Sequence, residues 1–276
     1  MLIYIGAMVG KGLEHVRELG CGVMLSSSRS WSPSKRWGQM RGVRCALDNG
    51  AWGCWKRGLP FDEGAFLKAI EGAHRWGLSV DFIVAPDIVA GGRASLGFSV
   101  GWAYGQLLTA PRLALAVQDG MLPQDLTPYH LERFTHIFVG GTMAWKLATA
   151  QMWVEFAHDV GKQAHIGGVG TRDRIRWARE IGADSVDSTT LSRNQNWDEM
   201  REAVLGADLF NDRGEGGVAA VYPARRAGRG DPLSANVHRA AVADAVAVAG
   251  GQEHTEDSPD RRGFVCSSQR VSGGIG

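Results

Sequence analysis

Gly182-Ala183-Asp184-Ser185-Val186-Asp187-Ser188-Thr189 decides how the rest of this chain is read. Small and apolar residues lead to a carboxylate and two hydroxyl side chains, the pattern of a buried strand that delivers a polar group at its C-terminal tip. Leu47-Asp48-Asn49-Gly50-Ala51-Trp52 and Ala116-Val117-Gln118-Asp119-Gly120 repeat the pattern. Parallel α/β proteins keep their chemistry at such tips.

Working outward, short apolar runs bounded by Gly, Asp or Asn predict eight strands, at 2–6, 22–26, 43–48, 80–86, 112–118, 135–140, 163–167 and 184–188. Helical periodicity is clearest at 61–76, 94–109, 143–160 and 171–182, where Thr171 stands at a cap position and Ile175, Ala178 and Ile181 share a face. The alternation predicts parallel pairing with right-handed crossovers. Eight strands predict an α/β fold, a (β/α)8 TIM-like barrel; an open doubly wound sheet is the alternative on periodicity alone. The barrel is assigned to 1–210, compact beside the ~250 residues of a typical one, which predicts short helices or a missing helix. From Arg213 onward Gly, Ala, Arg, Asp and Ser dominate, and 211–276 is expected to be a low-complexity, mostly disordered tail with one short helical pattern at 234–249.

The 276 residues are 44% hydrophobic and 21% charged, enough for one large core. A net charge of +1 gives no global field for a polyanion, so any nucleic-acid surface has to arise from local asymmetry. Cys21, Cys45, Cys54 and Cys266 show no Cys-x-x-Cys spacing and no matching histidine pair, which argues against structural zinc and against a disulfide framework. A reducing, cytoplasmic setting follows. The N-terminus runs straight into Leu2-Ile3-Tyr4-Ile5-Gly6 without a basic leader, and no apolar stretch approaches the ~20 residues that span a bilayer, so neither export nor membrane insertion is expected.

If the barrel forms, Asp48, Asp87, Gln118 and Asp187 converge on one mouth. Two carboxylates facing one substrate can divide the work into nucleophile and acid/base, and Asp48 and Asp187 are the candidate pair. Each also has a plain structural reading, Asp48 as the start of an Asp-Asn-Gly turn and Asp187 as a helix N-cap. Asp87, after Phe82-Ile83-Val84-Ala85-Pro86, suits either a loop-closing bond or the N–H groups of a purine's Watson–Crick edge. Gln118 follows an apolar strand and has to find partners for its amide, in a ligand or in the core. Gly140-Gly141-Thr142 and Gly167-Gly168-Val169-Gly170-Thr171 each end a strand and open a helix; their bare backbone suits a close-lying ligand, a substrate phosphate after strand seven, or simply a tight turn.

Basic residues concentrate in Arg29-Ser30-Trp31-Ser32-Pro33-Ser34-Lys35-Arg36-Trp37 and on to Arg41 and Arg44. With Trp52, Trp55, Lys56 and Arg57, and extended by Arg172, Arg174, Arg176 and Arg193, they suit a cationic, aromatic rim for a nucleic-acid backbone and an extruded base; solvated surface is the alternative. Trp102, Trp145, Trp153 and Trp177 fall in helical patterns and are expected in the core. His158 and His165 show no ligand spacing and are expected to be structural or exposed.

This combination resembles the tRNA-guanine transglycosylase superfamily, and in particular its DNA-modifying branch, the DpdA-like 7-deazaguanine DNA transglycosylases of phages and bacteria. The resemblance runs from about Leu47 to Arg193. Its most specific part is His165-Ile166-Gly167-Gly168-Val169-Gly170-Thr171 through Gly182-Ala183-Asp184-Ser185-Val186-Asp187-Ser188, similar to the family's Met-Gly-Val-Gly turn, helix and Gly-x-Asp-x-x-Asp strand end. The last Asp of that pattern is the family's nucleophile and falls on Asp187. The family's other catalytic Asp, in Asp-Ser-Gly-Gly, is matched by Asp48 in Asp-Asn-Gly-Ala. Its base-recognising Asp resembles Asp87, the glutamine of Val-Gln-Gly-Gly resembles Gln118, and the Gly pair lining the pocket for the 7-substituent resembles Gly140 and Gly141. Nothing after Asp187 matches the Cys-x-Cys-x-x-Cys and His zinc subdomain of the tRNA enzymes, since Cys266 stands alone. That departure and the Asp-Asn-Gly-Ala-Trp variant point away from tRNA.

The resemblance implies replacement of guanine in DNA by a 7-deazaguanine base such as preQ0, with a covalent glycosyl intermediate on Asp187, no cofactor and no metal. DNA and the incoming base are the implied partners, and a phage or host cytoplasm the implied setting. The alternatives are a tRNA-modifying relative, a barrel acting on a phosphorylated metabolite with Gly167 to Gly170 as cradle, and a non-catalytic nucleic-acid-binding paralogue.

Overall fold

A computed structural model describes residues 1–6, 10–27, 35–190 and 197–206. Eight parallel strands, β1 (Leu2–Gly6), β2 (Gly22–Ser26), β3 (Arg44–Asp48), β4 (Ser79–Val84), β5 (Leu113–Val117), β6 (His136–Val139), β7 (Gln163–Ile166) and β8 (Ser185–Ser188), close into a barrel in chain order. β8 returns to β1 with Val186 opposite Ile3 and Asp187 opposite Tyr4. The closed barrel replaces the open-sheet alternative, and every predicted strand is present within a few residues of its predicted bounds.

The strands are buried on both faces, which is why they read as near-continuous apolar runs. Outward side chains, among them Ile3, Ile5, Val23, Leu25, Leu47, Leu115 and Ile166, pack beneath the helices with Phe66, Trp102, Trp145 and Trp153. Inward ones, Tyr4, Met24, Ala46, Phe82, Val84, Ala114 and Ala116, fill the barrel. Among the described residues the helices are α1 (Gly12–Glu18), α2 (Ala51–Trp55), α3 (Glu63–Arg75), α4 (Arg93–Tyr104), α5 (Pro128–Leu131), α6 (Met143–Asp159), α7 (Arg172–Glu180) and α8 (Trp197–Leu205). Asp62, Thr142 and Thr171 cap α3, α6 and α7 by accepting the backbone N–H three residues on. Of the four helices not predicted, α1, α2 and α5 are too short for a periodic pattern to stand out. Between β2 and β3 the described residues hold a 3₁₀ segment, Lys35–Met40, so the compactness expected of this barrel is realised there. The tail expected at 211–276 lies outside the described residues. Among those described, no helix is long and apolar enough to cross a membrane.

A polar plug closes the lower interior. The register of β3 against β4 shifts between Cys45 and Leu47, giving β4 an extra residue, and both Asp81 and Phe82 are buried. Asp81 Oδ2 accepts the Tyr4 hydroxyl at 2.7 Å and Arg44 Nε at 2.8 Å. Burial and the Asp81 bond push the Tyr4 hydroxyl far above its usual range, so it stays a donor. Gly22 leaves the space for this ring, because a β-carbon there would lie 2.5 Å from Tyr4 Cδ1. With Tyr4 pinned at its hydroxyl, Gly22→Ala has no easy relief and should destabilise the barrel by roughly 1–3 kcal/mol, measured by urea unfolding.

Candidate active site

The predicted residues of strands three to eight meet at the C-terminal rim. Asp48 ends β3, Asp87 lies just beyond β4, Gln118 follows β5, Gly140 and Gly141 follow β6, Gly168 and Gly170 follow β7, and Asp187 sits in β8. Alternation along a strand is what turns Asp48 and Asp187 into the barrel rather than under the helices.

Asp187 is held on one side. Its Oδ1 accepts the Gly168 N–H at 2.9 Å and faces His165 Nε2 at 3.1 Å. Its Oδ2 has no hydrogen bond among the described residues. The fully buried His165 is fixed in turn by Ser185 Oγ at 2.9 Å and by stacking on Phe138, with ring centroids 4.8 Å apart. One carboxylate oxygen is thereby locked and the other left for a ligand.

Asp48 is half-buried and more loosely held, with the Gly50 N–H at 3.3 Å and Ser26 Oγ at 3.5 Å from Oδ2. Burial, reinforced by the charges of Asp187 and Asp87, pushes its carboxyl up to about 7 against the opposing backbone bonds of Gly50 and Asn49. Near neutrality such a group can both give and take a proton.

Asp87 anchors a third arrangement. Asn49 Nδ2 donates to its Oδ1 at 2.6 Å and Gln118 Nε2 to its Oδ2 at 2.5 Å. Burial still lifts this carboxyl to about 6, partly offset by the Asn49 bond. Asn49 also donates to the Ala85 carbonyl at 2.8 Å and accepts the Ala51 N–H at 2.8 Å, tying β3, β4 and α2 together. Gln118 Oε1 accepts the N–H of Ala90 at 3.2 Å; with φ of 54°, Ala90 is the one non-glycine in the left-handed region among the described residues.

The glycines serve these side chains. A β-carbon on Gly140 would lie 2.7 Å from Gln118 Nε2, and one on Gly141 would collide with Asp119 Oδ2. Asp119 accepts both the N–H and the hydroxyl of Thr142, at 2.9 and 2.6 Å, and so braces the start of α6. The space beside this pair is therefore filled by Gln118 and Asp119, and only backbone can line a ligand there. Most amides of the turn from Gly167 to Thr171 are already bonded within the protein. The N–H groups of Gly167, Val169 and Thr171 bond the carbonyls of Val139, Asp187 and Val169, and that of Gly168 bonds the Asp187 carboxylate, which would also repel a phosphate. Gly168 and Gly170, at φ of 61° and 81°, shape the turn that does this.

The basic rim is reduced. Arg29 and Arg193 lie outside the described residues, as do the side chains of Lys35 and Arg36. Trp37 is buried, 1% exposed, because the 3₁₀ segment turns it into the core. Arg41 and Arg44 belong to the opposite end of the barrel, where strand direction places the start of β3; Arg41 Nε bonds the Trp76 carbonyl. Arg172 pairs with Glu202 of α8, and Arg176 lies 3.8 Å from Asp173. What remains beside the mouth is the half-buried Arg174, against the Gly170 turn, and α2, which starts three residues after Asp48. Its Trp52 and Trp55 are 45% and 49% exposed and stack on each other at 5.0 Å, with Lys56 Nζ 5.8 Å from the Trp52 ring.

Asn49, Asp119, Lys146 and His165 surround the candidate site, and the sequence alone does not mark them out for it. His158 is exposed as expected and pairs with Asp184, but His165 reaches Asp187. Its signal is period two: in β7 His165 alternates with Ala164 and Ile166, which face the helices, and so points inward. Among the described residues, no group of three or more His, Cys, Asp or Glu side chains could hold a metal. No protein-family model and no curated protein matches the chain.

The raised Asp48 value makes a signed prediction. The folded chain holds this proton up to about 7 while an ordinary carboxylate releases it near 3.8, so the folded state binds more protons between those values and stability falls as pH rises through them. Asp48→Asn removes the buried charge. It should be more stable than the parent at pH 8 by about 1–3 kcal/mol, with the gap closing toward pH 4, read from melting curves across pH.

Proposed function

We propose that this protein is a base-exchange transglycosylase that replaces guanine in DNA by a 7-deazaguanine base such as preQ0. The observation that carries the reading is the unlike treatment of two carboxyl groups at one barrel mouth: Asp187 is locked with one oxygen free, and Asp48 is half-buried with its carboxyl near neutrality. This is the division of labour that nucleophile and acid/base require.

In the proposed reaction the free oxygen of Asp187 bonds to C1′ of the target nucleotide while the C1′–N9 bond breaks. The electron pair leaves with N9, and protonated Asp48 supplies the proton that neutralises the expelled guanine. The incoming base then returns a proton from N9 to Asp48, attacks C1′ and displaces Asp187. Two inversions give net retention and ping-pong kinetics, and Asp48 ends as it began. Asp87 and Gln118 offer an acceptor and a donor side by side, complementary to the N1–H, 2-amino and O6 positions of a guanine-like edge. Their mutual bond and the Asn49 clamp orient that edge before a base arrives. The exposed Trp52 and Trp55 with Lys56 support a nucleic-acid substrate, since stacking on an aromatic face beside a cation suits an unpaired base and its phosphate.

The test is base exchange: purified protein, preQ0 and either DNA or tRNA, followed by digestion to nucleosides and mass spectrometry. Deazaguanine nucleoside should appear from DNA. Asp187→Ala should form no covalent nucleic-acid adduct on denaturing gels, and retained exchange in that variant would overturn the assignment of roles. Asp87→Ala should keep adduct formation but weaken base binding roughly 10–100-fold, the loss expected for a charged hydrogen-bond partner.

A further inference from the structure

Among the described residues, Lys146 is the one buried ammonium, and this mechanism has no use for it. It lies in the first turn of α6, is 6% exposed, and among the described residues forms no ion pair. Burying such a charge costs several kcal/mol unless something in its surroundings compensates. Its Nζ donates to the Gly167 carbonyl at 2.5 Å. That carbonyl belongs to the same peptide unit as the Gly168 N–H, which donates to Asp187 Oδ1 at 2.9 Å. In a trans peptide the two groups point in opposite directions, so one planar unit stands between the ammonium and the carboxylate with its dipole aligned to both.

We infer that Lys146 is a positioning residue for Asp187, acting through this single peptide. The ammonium fixes the carbonyl, the plane of the peptide fixes the N–H, and the N–H fixes which carboxylate oxygen is tied and which is free. Polarisation along the chain strengthens both bonds beyond what either has alone. The local backbone is shaped for it. A β-carbon on Gly167 would lie 2.5 Å from Phe138 Cζ, and Gly168 has φ of 61°, so both glycines are needed to hold the plane where it is. Burial holds the Lys146 ammonium below its usual range, opposed by the charges of Asp187 and Asp119 and aided by Arg174.

The assignment of Asp187 as nucleophile rests on the proposed function; the orienting role does not, and the two are tested separately. In the absence of substrate, amide hydrogen exchange of the full chain by NMR should show Gly168 losing protection at least tenfold in Lys146→Met and recovering most of it in Lys146→Arg. Unchanged Gly168 exchange in folded Lys146→Met would overturn the inference. If Lys146→Met does not fold, Lys146→Gln, which keeps a donor without the charge, takes its place under the same criterion. With DNA and preQ0, the rate of adduct formation should fall about 10–100-fold in Lys146→Met while KM for the base stays within about threefold, because Asp87 and Gln118 are untouched. A raised KM with an unchanged adduct rate would contradict a role at Asp187. A parent protein that forms no adduct on any nucleic acid would instead remove the transglycosylase reading, and the exchange experiment alone would then decide the role of Lys146.

Discussion

Three carboxyl groups share the poorly solvated mouth of one barrel, and they cannot all be charged there without partners. Like charges brought together in low dielectric either lose a charge to protonation or draw in donors. Here both happen. Asp87 takes two amide donors, Asp187 takes a backbone N–H and a histidine, and Asp48, with the poorest bonds of the three, is pushed up to about 7. Much of the local architecture follows from that need: the glycines that admit Gln118, the turn that turns the Gly168 amide toward Asp187, and the buried lysine behind it.

The barrel makes this crowding possible and also contains it. Parallel strands bring side chains from β3, β4, β5 and β8 to one rim although they are far apart in sequence, and closure of β8 on β1 fixes Asp187 by register with Tyr4. Tyr4 is tied at its hydroxyl to Asp81, so the polar plug below and the carboxylates above are linked through one short strand. Between them, Phe82, Phe138 and His165 pack ring against ring and separate the plug from the site.

Most of the fold was legible because two-sided burial writes each strand as an apolar run, and strand ends carry Asp or Gly. For the same reason Asp48, Asp87, Gln118 and Asp187 could be placed at the rim from sequence. Other features were illegible because they depend on which groups meet across strands. Asn49 looks like a turn residue until β4 brings Asp87 against it. Lys146 looks like a solvated helix residue until α6 packs over the β7 turn. Trp37, read as part of a rim, is core because its 3₁₀ segment faces inward, and Arg44 was misplaced because a charge cluster in sequence says nothing of which end of a strand it occupies. The Gly167 to Gly170 turn has the composition of a phosphate cradle, but its Gly168 and Val169 amides bond Asp187 and its Gly167 amide bonds Val139.

Environment rather than position separates Asp48 from Asp187. Two aspartates on strand tips of one barrel mouth, β3 and β8, would be interchangeable if only their placement counted. They differ in what surrounds them: rigid donors on one oxygen of Asp187, long weak bonds and nearby negative charge at Asp48. A nucleophile gains from a fixed trajectory, because small misplacements of the reacting atom are costly. A proton carrier gains instead from a value near neutrality and from freedom to follow the proton between two bases. The mouth gives each carboxyl surroundings suited to one task of the proposed reaction and unsuited to the other, and this asymmetry is what supports reading the two as a pair.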